Sequence, residues 1–222
     1  KTRFLLHAAI LVAMVRSNIA EGVMRHRFAE QLAITLTTER INDVLSTLMP
    51  PMVARNLLKQ QRHFGSALQH QYQSATIAQS DLCGFTQLAS TRLPEEVVEF
   101  IGELFELFDS LTDDFHVYKV ETIGDAYIAG QAGKPLTRRN SPISVVLFAL
   151  SMVRVTHRWS ARRGESISCR VGVQIGHCVG GVVGCGMQRY HIFGGLMTAL
   201  EVLESTAPQG GVQVSSACFS AF

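Results

Sequence analysis

An α+β fold with a largely antiparallel sheet is predicted by three observations on this chain. Stretches of strand-type alternation near residues 72–80, 117–121, 126–129, 168–175, 178–183 and 212–215 are interleaved with two long segments of helical periodicity, near 94–113 and 143–159. Two of the strand-like runs end in an aspartate beside a glycine turn, Asp81 ahead of Gly84 and Asp125 after Gly124. The chain has 222 residues, of which 47% are hydrophobic, enough to bury one good core and leave an N-terminal helical arm.

The arm comes first. Phe4 to Val15 is apolar apart from His7, and is shorter than the about 20 residues of a full membrane span. The sequence opens on Lys1, so two readings stand: the cytoplasmic end of a transmembrane helix, with Arg16, Arg25 and Arg27 on the positive-inside flank, or an ordinary helix start. A signal peptide is disfavoured because no small-residue cleavage pattern follows. Residues 1–27 are accordingly assigned to a membrane-proximal segment and 28–60 to a helical linker. In the linker, Ile34, Ile41 and Leu48 fall seven residues apart, with Thr37 and Val44 between them, which makes a heptad seam. The seam stops at Met49-Pro50-Pro51, where proline removes a donor and drives the preceding residue out of α geometry. A short helix is expected from Met52 to Leu58.

The domain proper is assigned to residues 70–222. After its first strand, Pro94, Glu95 and Glu96 suit a first helical turn. Val97, Ile101, Leu104, Phe105, Phe108 and Leu111 follow at helical spacing, so these phenylalanines belong to a core. A hairpin turns around Ile123-Gly124-Asp125, and a second helix, two strands, a helix near 196–205 and a last strand complete the chain. The order β-α-β-β-α-β is the ferredoxin-like arrangement, an antiparallel sheet with helices on one face.

Composition excludes several functions. A net charge of +2 is too small to point to nucleic acid, and the basic clusters Arg138-Arg139 and Arg158 to Arg163 read as loop or helix C-terminal charge. Cys83, Cys169, Cys178, Cys185 and Cys218 form no Cys-x-x-Cys pair, which argues against a zinc knuckle or disulfide framework and for a reducing compartment. The eight histidines show no metal-ligand spacing.

Three segments carry the functional signal: Ser80-Asp81-Leu82-Cys83-Gly84-Phe85-Thr86; Lys119-Val120-Glu121-Thr122-Ile123-Gly124-Asp125-Ala126-Tyr127; and Arg170 to Gly176, running on through Gly181 to Gly184 and Met187 to Gly194. In this order they resemble the class III nucleotidyl cyclases, with the second segment most similar to the guanylate cyclase branch. The resemblance covers roughly residues 74 to 218. It implies that Asp81, Asp125 and the Leu82 carbonyl hold two Mg²⁺ or Mn²⁺ ions, for which hard oxygen ligands are suited. It further implies that the turn Cys83, Gly84, Phe85 and Thr86 offers backbone N–H groups to a triphosphate. The implied reaction joins a ribose 3′-oxygen to the α-phosphate of the same nucleotide and releases pyrophosphate, so charge neutralisation is its chief need.

In that family two domains pair head to tail, and each site takes metal ligands from one domain and base-reading and transition-state groups from the other. Glu121 matches the guanine-reading glutamate, while His191 stands where guanylate cyclases usually carry cysteine. Thr198 and Val202 stand where the family has asparagine and arginine, and valine offers neither charge nor a hydrogen bond to phosphate. A further β element with a phosphate-binding lysine usually follows the position of Phe219, and the sequence in hand stops at Phe222 before it. Intact metal aspartates beside a degenerate second half-site resemble the metal-donating subunit or first domain of a heterodimeric cyclase, with GTP the favoured substrate. The seam at Ile34, Ile41 and Leu48 then reads as a dimerising signal helix, placing the domain at the cytoplasmic face of a membrane or, alternatively, free in the cytoplasm. Two other functions remain open at this point, an adenylate cyclase half-domain and a catalytically silent dimerisation module.

Overall fold

The computed structural model describes residues 2–59, 69–184 and 189–222; Cys185, Met187 and Gln188 lie outside them. The chain forms two units, 1–47 and 48–222. The first is the body of one helix, α1 (Thr2–Leu48), unbroken through residues 27 and 28. Its heptad positions Ile34, Ile41 and Val44 are exposed. Among the described residues no helix is long and apolar enough to cross a membrane.

In the second unit α2 (Pro51–Lys59) starts at the second proline, and Met49, Val53 and Ala54 are buried. The elements that follow are β1 (Gln69–Cys83), α3 (Phe85–Thr91), α4 (Pro94–Phe115), β2 (Tyr118–Ile123), β3 (Ala126–Ala132), α5 (Pro142–Arg163), β4 (Ser168–Val183), β5 (Arg189–Phe193), α6 (Gly195–Thr206), β6 (Val212–Val214) and α7 (Ser216–Phe219). The sheet runs β2-β3-β1-β4-β5, antiparallel throughout, and β6 pairs in parallel with β4. The order β2-β3-β1-β4 is that of the ferredoxin-like βαββαβ unit expected from the sequence.

Three expectations need correction. The strands expected near 168–175 and 178–183 are one continuous strand, β4, because the irregularity sits in its partner. Tyr72 pairs with Cys178 and Ala75 with Gly176, so β1 carries one extra residue there while β4 runs straight past Gly176. Arg189–Phe193, quoted only as a motif, is an additional strand.

The helices also do not all lie on one face. Val171 and Val173 belong to the main core with Phe100, Leu104, Phe108, Phe148, Met152 and Trp159 from α4 and α5. Gly172, between them, points the other way, and a Cβ there would lie 2.5 Å from the backbone nitrogen of Glu204 in α6. The missing side chain is what admits α6 to the opposite face at backbone contact.

Inside the main core the aromatic rings meet edge on. Phe108 and Tyr127 have centroids 5.4 Å apart at 81°, and Phe100 meets Trp159 at 5.7 Å and 75°. The indole N–H of Trp159 donates to Glu103 Oε2 at 2.8 Å, and Arg163 in the last turn of α5 pairs with Glu99 and Glu103 across to α4. Arg162 and Arg163 thus sit at a helix C-terminus, as their clustering implied. Phe108 is wholly buried among these rings, so Phe108→Ala should destabilise the domain by about 3–5 kcal/mol in urea denaturation, the cost of a large core truncation.

Candidate functional site

Asp81 and Asp125 come together because β1 and β3 are neighbours. Ser80 pairs with Tyr127, so Asp81 lies one step beyond that pair, alongside the β2–β3 turn that carries Asp125. The turn is a two-residue connection between Ile123 and Ala126, and Gly124 adopts φ +61° at its first central position, where glycine is favoured. Both aspartates are partly exposed. Burial raises the Asp125 carboxyl above its ordinary value; a backbone hydrogen bond opposes the shift, the charge of Asp81 adds to it, and Arg170 opposes it. The Asp125 carboxyl therefore lies within reach of the charge on Asp81.

On its other side Asp81 faces β4, directly opposite Arg170. Arg170 donates from Nε and Nη2 to Asp81 Oδ2, at 3.1 and 2.9 Å, and from Nη1 to the carbonyl of Ser205 at 3.1 Å. Its Nε also lies 2.8 Å from Glu204 Oε1. Asp81 and Glu204 thus flank one guanidinium, and burial raises the Glu204 carboxyl; the charge of Arg170 opposes the shift, and the charges of Asp81 and Asp125 add to it. Arg170 appeared in the sequence only within a longer motif, and Glu204 was not singled out. Nothing short of the β1–β4 register and the approach of α6 reveals that Arg170 meets both Asp81 and Glu204.

This donor set fits a hard divalent cation. It offers carboxylate oxygens at adjoining strand ends and an excess of negative over positive charge. Among the described residues no three His, Cys, Asp or Glu side chains converge as a metal cage would require. Two protein carboxylates with the remaining positions filled by water and substrate phosphate is the usual Mg²⁺ arrangement. Leu82 has a buried core side chain, so only its carbonyl is available as a ligand.

Cys83 ends β1, and Gly84 turns the chain into α3 at φ +87°, with a Cβ there 2.8 Å from the carbonyl oxygen of Ser166. The first helical bond in this turn runs from the Leu88 amide to the Gly84 carbonyl, which leaves the amides of Phe85, Thr86 and Gln87 without intrahelical acceptors. Cys83, Cys169, Cys178 and Cys218 are free thiols, and burial pushes Cys169 up to about 12 and Cys178 up to about 11.

Glu121 and His191 sit on β2 and β5, at opposite ends of the sheet order, yet His191 Nδ1 lies 3.0 Å from Glu121 Oε2. The sheet therefore curls until its edges meet at this end. An extra residue in β2 between Lys119 and Glu121 separates their partners: Lys119 reaches Asp109 on α4, and Glu121 reaches His191. Thr198 and Val202 lie one turn apart on the exposed side of α6, and Leu196, Leu200 and Glu204 form its buried side. The chain does not bring Thr198 or Val202 into a contact with Asp81 or Asp125. A cleft of about 730 Å³ at the far end of the β2–β3 hairpin, lined by Tyr118, Gln131, Arg138 and Arg139, contains neither aspartate.

A profile of the adenylate and guanylate cyclase catalytic domain matches residues 68–221. The receptor-type guanylate cyclase gcy-28 of Caenorhabditis elegans is 34% identical over 202 residues, which cover 90% of this chain and 15% of that protein. The bovine guanylate cyclase soluble subunit alpha-1 is 35% identical over 175 residues, 78% of this chain and 24% of that one. The chain thus spans less than a quarter of the length of these relatives. Among solved structures, the guanylate cyclase domain of RhGC from Catenaria anguillulae, in complex with GTP, superposes with a TM-score of 0.64 at 28% identity, covering 68% of this chain and 83% of that one.

The charge crowding has a measurable consequence. A carboxyl whose folded-state pKa is raised costs the fold stability once it ionises; the cost is absent below its unfolded pKa and sets in as pH rises through the folded value. In metal-free buffer Asp125→Asn should therefore raise the thermal midpoint at neutral pH, and the gain should shrink as pH falls toward about 4, followed by circular dichroism.

Proposed function

We propose, from the premise that this chain belongs to the adenylate and guanylate cyclase catalytic domain family, that it forms cyclic GMP and pyrophosphate from GTP as the metal-donating half of a paired cyclase. Catalytic domains of this family use divalent metals, bind nucleoside triphosphates and dimerise. The observation that carries the finer reading is the pair of partly exposed carboxylates, Asp81 and Asp125, that the strand register brings to neighbouring strand ends. Divalent ions held there would lower the pKa of the attacking ribose hydroxyl and neutralise charge on the phosphorus oxygens. Asp81, Asp125 and the Leu82 carbonyl are assigned as ligands, and the amides that follow Cys83 and Gly84, at Phe85 and Thr86, are assigned to the triphosphate. Gly84 allows that turn to approach closely.

The complementary half-site supports a partner. Val202 is 58% exposed on α6 and Thr198 precedes it by one turn, so this face presents no cation to a phosphate on a neighbouring domain. Glu121 and His191 are already engaged with each other, which suits a base-reading position out of use. Base choice then lies with the partner domain, which would also supply the missing asparagine and arginine. The exposed heptad positions of α1 support a dimerising signal helix upstream of the domain, in the manner of an element feeding a catalytic core from a membrane or a sensor. The same loss at Thr198 and Val202 favours a second reading, a silent module that pairs without turnover.

Cyclic nucleotide formation from GTP and ATP with Mn²⁺ separates these readings. The chain alone should be inactive, and a Thr198→Asn, Val202→Arg variant should gain about 100-fold or more over that baseline, the scale of a restored transition-state contact. Adding Asp125→Asn to the variant should return it to the baseline. Activity in the unsubstituted chain would overturn the need for a partner, and silence in a folded, dimeric variant would favour the silent module.

A further inference from the structure

We infer that Glu204 is a positioning residue for the half-site proposed above, acting through Arg170 on the carboxylate of Asp81. The side chain of Glu204 is 9% exposed, and its Oε1 lies 2.8 Å from Arg170 Nε without an aligned hydrogen bond. The Nε–H instead points to Asp81 Oδ2, which also accepts from Nη2. Both donors therefore converge on one oxygen of Asp81, and Oδ1 is left outside the grip of Arg170. The rigid guanidinium plane thereby sets the orientation of the aspartate. Glu204 and the Ser205 carbonyl hold that plane from α6, and Gly172 admits α6 to the required distance.

A buried carboxylate with one imperfectly directed partner is costly, and an apolar residue at this helix position would avoid the cost. Violations of this kind are expected where a site needs them. The need met here is geometric. Without Glu204 the guanidinium is held by the Ser205 carbonyl and by the very aspartate it is meant to orient.

The test uses the full chain, Mn²⁺ alone as the probe, and two readouts. In ¹⁵N spectra of the metal-free protein, Glu204→Gln should shift or broaden the Arg170 Nε–H signal; an unchanged signal overturns the inference whatever the metal does. Electron paramagnetic resonance titration should show Mn²⁺ binding weakened about 10-fold by Glu204→Gln, the scale typical of groups that orient metal ligands. Glu204→Asp keeps the charge but loses the reach, and should behave like Glu204→Gln. In an Arg170→Gln background, or Arg170→Lys should the former unfold, Glu204→Gln should have no further effect. Near-parental binding in Glu204→Asp, or an undiminished loss in the Arg170 background, would reduce Glu204 to a charge acting through space and overturn positioning. Absence of Mn²⁺ binding in the folded parent would defeat the metal reading itself while the Arg170 signal still decides the role of Glu204.

Discussion

The β1–β4 ladder joins the two longest strands of the sheet, and it is the pairing on which the placement of the site depends. Through it Asp81 faces Arg170 directly across the strands, and through the adjoining β1–β3 register the same aspartate reaches the turn that bears Asp125. Because side chains alternate along a strand, a one-residue slip would send Asp81 to the other face and dissolve the cluster. The large residues of the main core guard against that slip. Ala78 and Leu82 on β1 and Val171 and Val173 on β4 must all face α4 and α5, and together they allow one register.

Charge is the second constraint. Asp81 and Glu204 share one guanidinium in a partly desolvated setting, and the charge of Asp125 also acts on Glu204, so negative charge exceeds positive there. Repulsion between carboxylates is therefore already present in the folded chain. The same cluster would be an expensive way to stabilise a domain, since ion pairs removed from water recover little of their desolvation cost. Stability comes instead from the aromatic core on the other face, where Phe108, Tyr127, Phe100 and Trp159 interlock.

Small residues let these layers approach. Gly172 brings α6 against β4, and Gly130 lies against Thr76 and Ile77, where a Cβ would fall 2.5 Å from the Thr76 carbonyl oxygen. At Gly180 the hydroxyl of Tyr190 occupies the space of a side chain and reaches Tyr72 at 2.7 Å. These contacts accompany the curl that joins Glu121 on one edge to His191 on the other. The outcome is an asymmetric surface, with a charged carboxylate cluster beside the β2–β3 turn and an uncharged pair, Thr198 and Val202, on the outer face of α6.

The local pattern of the sequence was enough to place the helix after Pro94, the helix near 143–159, the hairpin at Gly124, the central strands and both aspartates, because periodicity, proline and glycine act over a few residues. Family resemblance within the chain likewise marked Glu121, His191, Thr198 and Val202 before any coordinates. The continuity of β4 was not legible, since the extra residue that permits it lies a hundred positions away in β1, and neither was β5, whose alternation of buried Tyr190 and Ile192 spans only five residues. Arg170 and Glu204 stayed hidden for the same reason. Their role depends on strand register and on the depth to which α6 sinks at Gly172, and contacts between residues far apart in the chain exist only once the tertiary structure has brought them together.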